Sequence, residues 1–352
     1  MSLGAPTPTA VAPPADHGTT PIDAAADESA AMATWMASTN VDDRLVEELS
    51  RQVRAISAAY LWSPPLPLLN RTRRLRGQVA KLLQGRQSPA HSRDLYLINA
   101  RLSSILAWMA GDLGAYGAAG EHASAAWMAA NLAEHPGALT WVRATQSKLA
   151  YWSGAFADSA DLAADGLTYP GTDGGVLLLH LLEARAYARM GAVNAADGAL
   201  RAWRSARERG TGADEVGGVL GLSMAQQHYL AGSVLLELRQ PGDALGETRT
   251  ALGLFETAPP MERFLGAEAC ARLDAVRACL DTRNLDGVEA ELAPILAIEP
   301  DQRLDTLSTG LRLVQRDLAA PHYRDTPVAR DLQGAISSFM ADTASRQLEL
   351  RS

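Results

Sequence analysis

The stretch AWMAGDLGAYGAA, residues 107–119, decides the fold. It has a turn glycine at Gly114, a bulky side chain two positions later at Tyr116 and a small side chain five positions later at Ala119. Ala107, seven positions before the glycine, is also small. Glycine ends helices because it tolerates a left-handed backbone. Small residues let two helices cross closely, so the stretch predicts a hairpin of two tightly packed helices.

The same spacing returns four more times along the chain. The intervals between successive turn residues are 40, 37, 48 and 44, and the further copies start at Gly154, Gly191, Arg239 and Arg283. Apolar residues recur at helical spacing around these turns, and the alternation typical of strands is scarce. We therefore predict an all-α fold, arranged as a right-handed α-solenoid of degenerate helical hairpins.

Composition and turn signals divide the chain into four segments. The first has too few large apolar residues to offset its chain entropy, and terminal units of a solenoid are usually atypical. The expected segments are a disordered Pro/Ala-rich tail (1–38), an N-terminal helical hairpin (39–88), five repeats (89–300), and a capping hairpin with its tail (301–352). The repeats differ in length, and we expect the additional residues of the longer repeats in the loops Pro170–Gly175 and Gly210–Gly218.

Charge and motif content exclude several classes of function. The chain has 40 acidic and 32 basic side chains and a net charge of −8, which argues against direct nucleic-acid binding. No signal peptide and no membrane-length apolar run is found, so we expect a cytoplasmic protein without membrane contact. Cys270 and Cys279 lie on different turns of one predicted helix, where we expect two small buried side chains. We find no catalytic or metal-binding motif, and therefore expect no catalytic residue, metal or cofactor.

The first helix of each hairpin is expected to line the concave face of the solenoid. Inward positions fall thirteen, ten, six and two residues before each turn, and they collect aromatic and charged side chains. Aromatic rings supply apolar area and arginine can clamp a carboxylate. The candidate groove residues are Arg101, Trp108, Asp112, Trp141, Lys148, Trp152, Arg185, Arg189, Gln226, Tyr229 and Arg277. The alternative is that Trp108, Trp141 and Trp152 belong to the core between repeats.

The turn pattern resembles the tetratricopeptide repeat, although none of the intervals equals the period of 34 of that repeat. The region Leu45–Leu83, with its Ser63-Pro64-Pro65 break, and the segment Ala107–Gly114 resemble the C-terminal repeat region of actinobacterial helix-turn-helix regulators of the XRE type. The resemblance covers residues 40 to 320 and implies a ligand-sensing or partner-binding solenoid. In those regulators a DNA-binding domain precedes this region, whereas no recognition helix can be drawn in residues 1–38.

These observations favour a non-catalytic regulatory or scaffold protein. It would bind a peptide, a small signal molecule or a protein partner in the concave groove. One alternative is a transcription regulator that acts through a separate DNA-binding partner. Another is a biosynthetic helper or enzyme on a helical scaffold. A homodimer, formed through the first hairpin or the capping hairpin, is a further possibility.

Overall fold

A computed structural model describes residues 20–170, 173–210 and 214–349 of the chain. Within these ranges the regular structure is helical, apart from an isolated bridge between Gly217 and Leu220. The prediction of an all-α fold is confirmed. Residues 1–19 of the expected tail, and residues 171–172 and 211–213 of the two expected loops, lie outside the described residues. No helix in the described ranges is both long enough and apolar enough to cross a membrane.

The helices follow one another with short connections. In chain order they are α1 (Pro21–Ala37), α2 (Asp43–Ala59), α3 (Pro65–Leu83), α4 (Pro89–Asp112), α5 (Tyr116–Leu132), α6 (Pro136–Trp152), α7 (Phe156–Gly166), α8 (Asp173–Arg189), α9 (Val193–Glu208), α10 (Met224–Glu237), α11 (Pro241–Thr257), α12 (Leu265–Asp281), α13 (Leu285–Leu296), a short 3₁₀ helix (Pro300–Gln302), α14 (Asp305–Leu318), α15 (Pro327–Ala341) and α16 (Ala344–Glu349).

All five predicted turn residues have a left-handed backbone. Their φ angles are 78° at Gly114, 87° at Gly154, 72° at Gly191, 61° at Arg239 and 59° at Arg283. In each turn the next amide donates to a carbonyl five residues earlier, which is the bond that closes a helix C-terminus. The residues five after and seven before each turn are buried in every copy, and only those of the last copy, Val276 and Val288, are not small. The spacing in the sequence therefore marks the points where the two helices of a hairpin cross.

A sixth turn of the same geometry was not found from the sequence. Glu134 has a φ of 52°, and the His135 amide donates to the carbonyl of Ala130 at 3.3 Å. This turn joins α5 to α6, so it links two successive hairpins. The spacing does not reveal this turn because the residue five positions later, Leu139, is large.

Alternate helices form an inner row that closes on itself. Each of α4, α6, α8, α10, α12 and α14 contacts the next in this order, and α14 also contacts α4. The helices α5, α7, α9, α11 and α13 pack on the outside, each against the inner helix of its own hairpin. The N-terminal helices α2 and α3 pack against α4. The inner row is therefore a ring of six helices.

Hydrogen bonds between distant parts of the chain hold the ring closed. The amide of Leu265, at the start of α12, donates to the carbonyl of Leu61 at 3.0 Å. The hydroxyl of Ser345 in α16 donates to the carbonyl of Leu113 at 2.8 Å, across 232 residues of sequence. The N-terminal hairpin and first repeat thus contact the last elements of the chain.

The loop between α9 and α10 docks onto α2. The Ser57 hydroxyl donates to the Gly217 carbonyl at 2.7 Å, and the Val219 amide donates to the Ser57 carbonyl at 3.1 Å. Gly218 has a φ of 62°, and a Cβ at this position would lie 2.3 Å from the Ser57 carbonyl oxygen. Only glycine fits such an approach. The expected extra loop residues therefore fasten the fourth repeat to the N-terminal hairpin.

The described part of the expected disordered tail differs from that expectation, since it forms the helix α1. Thr20 and Asp23 form a capping box at its start, and its sequence is rich in alanine, which favours a helix. All its residues are exposed. The guanidinium of Arg86 lies 3.5 Å from the centre of the Trp35 ring and connects α1 to the rest of the protein.

Candidate functional site

The ring surrounds a narrow cavity with aromatic walls, to which all six inner helices contribute. We call it the aromatic cavity and define it by Trp108, Trp141, Trp152, Tyr229 and Phe264. Its volume is about 70 Å³, and most of its surface is apolar. Trp108 and Trp141 are only 8% and 9% exposed. These two tryptophans are buried between repeats and also form part of the cavity wall.

A second, more polar cavity adjoins the first. We call it the arginine cavity and define it by Arg185, Arg189, Arg277, Glu237 and Asp274, which come from α8, α10 and α12. Its volume is about 220 Å³. Four residues line both cavities, namely Trp152, Arg185, Tyr229 and Cys270. The two cavities therefore adjoin each other and share part of their walls.

The predicted groove residues come together at this site, with one exception. Those that line the aromatic cavity are Trp108, Asp112, Trp141, Lys148, Trp152, Arg185, Gln226 and Tyr229. Arg189 and Arg277 line the arginine cavity. Arg101 instead borders a separate recess, where its guanidinium donates to the carboxylate of Glu215. Arg101 therefore holds the loop between α9 and α10 and does not reach the two cavities.

Asp112 and Lys148 neutralise each other. The Lys148 ammonium lies 2.7 Å from an Asp112 carboxylate oxygen, and their side chains are only 12% and 6% exposed. The other Asp112 oxygen accepts a hydrogen bond from the Tyr60 hydroxyl. The ammonium also lies 3.6 Å from the centre of the Trp108 ring. Burial lowers the pKa of Lys148, and the charge of Asp112 opposes this shift. Neither charge is left for a ligand, and the contribution of Tyr60 was not predicted.

Arg189 and Arg277 share the carboxylate of Glu237. The Arg277 guanidinium donates to Glu237 at 2.9 Å, and Arg189 lies 3.6 Å from the same oxygen. Burial favours the neutral form of Glu237, but the nearby Arg277 and Arg189 outweigh it and keep its pKa below the usual value. Arg277 also lies 3.6 Å from Asp317. Two of the three arginines thus have carboxylate partners within the protein.

Arg185 has no such partner, although only 6% of it is exposed. Its Nε donates to the Ser233 hydroxyl at 3.0 Å. Its guanidinium carbon lies 4.2 Å from the centre of the Tyr151 ring and 5.1 Å from that of Trp152. In the described part of the chain, no carboxylate oxygen lies within the ion-pair distance of 4.0 Å from this guanidinium. Buried charges are normally paired, so Arg185 stands out among the charged groups of the site.

The repeat geometry explains why Arg185 is unpaired. The residue six positions before one turn meets the residue two positions before the preceding turn. These positions hold Lys148 and Asp112 in one case and Arg277 and Glu237 in another, and both pairs are ionic. Between the second and third copies the corresponding residues are Arg185 and Trp152. Trp152 therefore occupies the position from which a carboxylate would otherwise neutralise the arginine.

Asp274 is the second unusual group of the site. Its carboxyl is 9% exposed, and within the described ranges its Oδ2 has no hydrogen-bond partner. Burial raises its pKa to about 6, although Arg185 and Arg277 act in the opposite direction. The sequence search missed Asp274 because it lies nine positions before the turn at Arg283. Its signal was an acidic residue inside the otherwise mostly apolar stretch 267–280.

Cys270, at the junction of the cavities, is a neutral thiol. Burial raises its pKa to about 12, and only thiolates are good nucleophiles. Both cysteines are free and buried, as predicted. In the ranges that the structure describes, no three His, Cys, Asp or Glu side chains are grouped so that they could hold a metal ion.

Comparison of the chain with known protein families, with curated proteins and with solved structures finds no match in any of the three.

Proposed function

We propose that the chain is a non-catalytic regulatory protein that binds a small signal molecule or the end of a peptide in the two adjoining cavities. The observation that carries this proposal is the buried guanidinium of Arg185, which lines both cavities and, within the described residues, has no carboxylate at ion-pair distance. A buried charge destabilises a protein unless an anion or hydrogen bonds compensate it. A bound ligand would supply the compensation. Apolar cavities with a few polar groups are typical of small-molecule sites.

Binding would act on the closure of the ring. All six inner helices line the aromatic cavity, so an occupant would contact both ends of the row. A ligand shifts a conformational equilibrium only if it binds one state more tightly than the other. The closed ring surrounds the cavity, whereas separation of α4 from α14 would remove part of its wall. Ligand binding would therefore favour the closed ring, and its release would favour a more open curvature.

We also propose how the helical hairpins are arranged. The recurring turns and the contacts between alternate helices support a right-handed solenoid of degenerate tetratricopeptide-like hairpins. The resemblance of Leu45–Leu83 and Ala107–Gly114 to XRE-type regulators supports a second possibility, that the protein regulates transcription through a separate DNA-binding partner. In that case the ligand-dependent curvature would change the surface offered to the partner.

Thermal unfolding of the full chain with a panel of small molecules and short peptides tests the ligand-binding function. A ligand that binds the native state and not the unfolded state raises Tm by an amount that grows with the ratio of its concentration to its Kd. We expect Trp152→Ala to remove this rise, and Arg71→Gln, on the exposed side of α3, to leave it unchanged. A ligand that raises Tm equally in Trp152→Ala and in the unmodified protein binds elsewhere and would refute the assignment of the site.

A further inference from the structure

We infer that the ligand of this site is a small monocarboxylate with a slender apolar body. This inference rests on the proposed ligand-binding function and adds to it the chemical class of the ligand. The carboxylate would bind Arg185 in the arginine cavity, and the apolar body would lie between the tryptophans of the aromatic cavity.

The charge of the head group follows from the pairing of the arginines. Arg277 and Arg189 share Glu237, and Arg277 also lies 3.6 Å from Asp317. Among the residues that the structure describes, Arg185 is thus the one arginine of the cavity without a carboxylate at ion-pair distance, and the charge of Asp274 acts on it from farther away. A single carboxylate carries one negative charge and can accept two parallel hydrogen bonds from the guanidinium of Arg185. Within the described part of the chain, the two terminal nitrogens of Arg185 have no acceptor, since only Nε donates, to Ser233. A dianion would add a second negative charge beside Asp274 and Glu237.

The position of the head group follows from the repeat. In the second and fifth copies a carboxylate from the preceding hairpin, Asp112 or Glu237, fills the equivalent position. Next to Arg185 this position holds Trp152 in place of a carboxylate, and the arginine cavity, with a volume of about 220 Å³, lies there. The ligand would thus supply from outside the carboxylate that the repeat supplies elsewhere.

The body of the ligand follows from the aromatic cavity. The charges that line this cavity apart from Arg185 are those of Lys148 and Asp112, which are paired with each other. Its walls are mostly apolar and its volume is about 70 Å³. Peptide groups placed there would lose hydrogen bonds to water without replacement. A hydrocarbon chain or a single ring fits this surface, and a polypeptide segment does not.

Isothermal titration calorimetry on the full chain tests the inference with octanoate, its neutral analogue octanamide, and octyl phosphate. We expect octanoate to bind at least about tenfold more tightly than octanamide, since a charge-assisted hydrogen bond contributes that much. Arg185→Gln should weaken octanoate binding by at least about tenfold and weaken octanamide binding by a smaller factor, because the amide carries no charge. Trp152→Glu should abolish octanoate binding, because it supplies Arg185 with an internal carboxylate. Arg71→Gln is the matched control and should bind octanoate normally.

Three results would overturn the inference. They are no octanoate binding at millimolar concentration, equal binding of octanoate and octanamide, and tighter binding of octyl phosphate. The comparison of ligands on the unmodified protein decides these outcomes, so a variant that fails to fold does not affect them. If octanoate fails but a peptide or neutral molecule raises Tm in a manner that depends on Trp152, the ligand class is wrong and the proposed function stands. If every ligand that raises Tm does so independently of Trp152, the proposed function is wrong as well.

Discussion

Replacement of Asp274 by asparagine should stabilise the protein at neutral pH and leave it unchanged near pH 4. Burial raises the pKa of Asp274 from 3.8 to about 6. The charged groups that face it are Arg185 from α8, Glu237 from α10 and Arg277 from its own helix, and the Ser233 hydroxyl also lies beside it. The arginines favour its ionised form, but their effect is smaller than that of burial.

The sign follows from proton linkage. Between about pH 4 and pH 6 the native state holds a proton on Asp274 that the unfolded state has already released, so the free energy of unfolding falls as the pH rises. The shift of about two pKa units corresponds to about 3 kcal/mol. Asparagine is neutral at every pH and has nearly the same shape. The free energy of unfolding of Asp274→Asn should therefore exceed that of the unmodified protein by about 3 kcal/mol at pH 7, and by little at pH 4.

Urea denaturation followed by circular dichroism, at intervals from pH 4 to pH 7.5, measures this difference. The control is Asp161→Asn on the exposed face of α7, for which the difference should stay constant with pH. A difference between Asp274→Asn and the unmodified protein that stays within about 0.5 kcal/mol across the range would refute the burial of Asp274 beside Arg185.

Three further substitutions test the turns and the buried ion pair by urea denaturation. Gly154→Ala should cost about 1 kcal/mol because alanine is strained at a φ of 87°, and no loss would contradict the left-handed turn. Arg239→Gly removes the same strain at a φ of 61° and should raise the free energy of unfolding by up to about 1 kcal/mol. A clear loss of stability would contradict the left-handed backbone at Arg239. Lys148→Met leaves Asp112 buried without its counter-ion and should cost about 3 kcal/mol, and part of this loss should return in the double variant with Asp112→Leu. An unchanged stability of Lys148→Met would mean that the pair is solvated.

The turns were predictable from the sequence because their requirement is local. In the five predicted turns a left-handed residue is followed at fixed distances by the residues that pack where the helices cross, and Gly114, Gly154 and Gly191 carry this signal directly. Glu134 adopts the same backbone without the residue types that reveal it. The inward positions were predictable for the same reason, since they are counted from the turns.

Closure of the ring was not predictable, because it depends on the accumulated rotation of six hairpins. The contact of α14 with α4 and the bond from Ser345 to Leu113 join residues that no local pattern relates. The sequence also could not predict which charged side chains pair with each other. Asp112 and Lys148 looked like ligand-binding groups on the list of inward positions, and only their distance of 2.7 Å reveals that they pair with each other.

A crystal structure of the full chain grown with octanoate tests the central claim most directly. We predict density for the ligand across the two adjoining cavities, with its carboxylate within hydrogen-bond distance of the Arg185 guanidinium and its hydrocarbon chain against Trp152 and Trp108. An empty site, or octanoate bound only on the outer helices of the ring, would contradict the account.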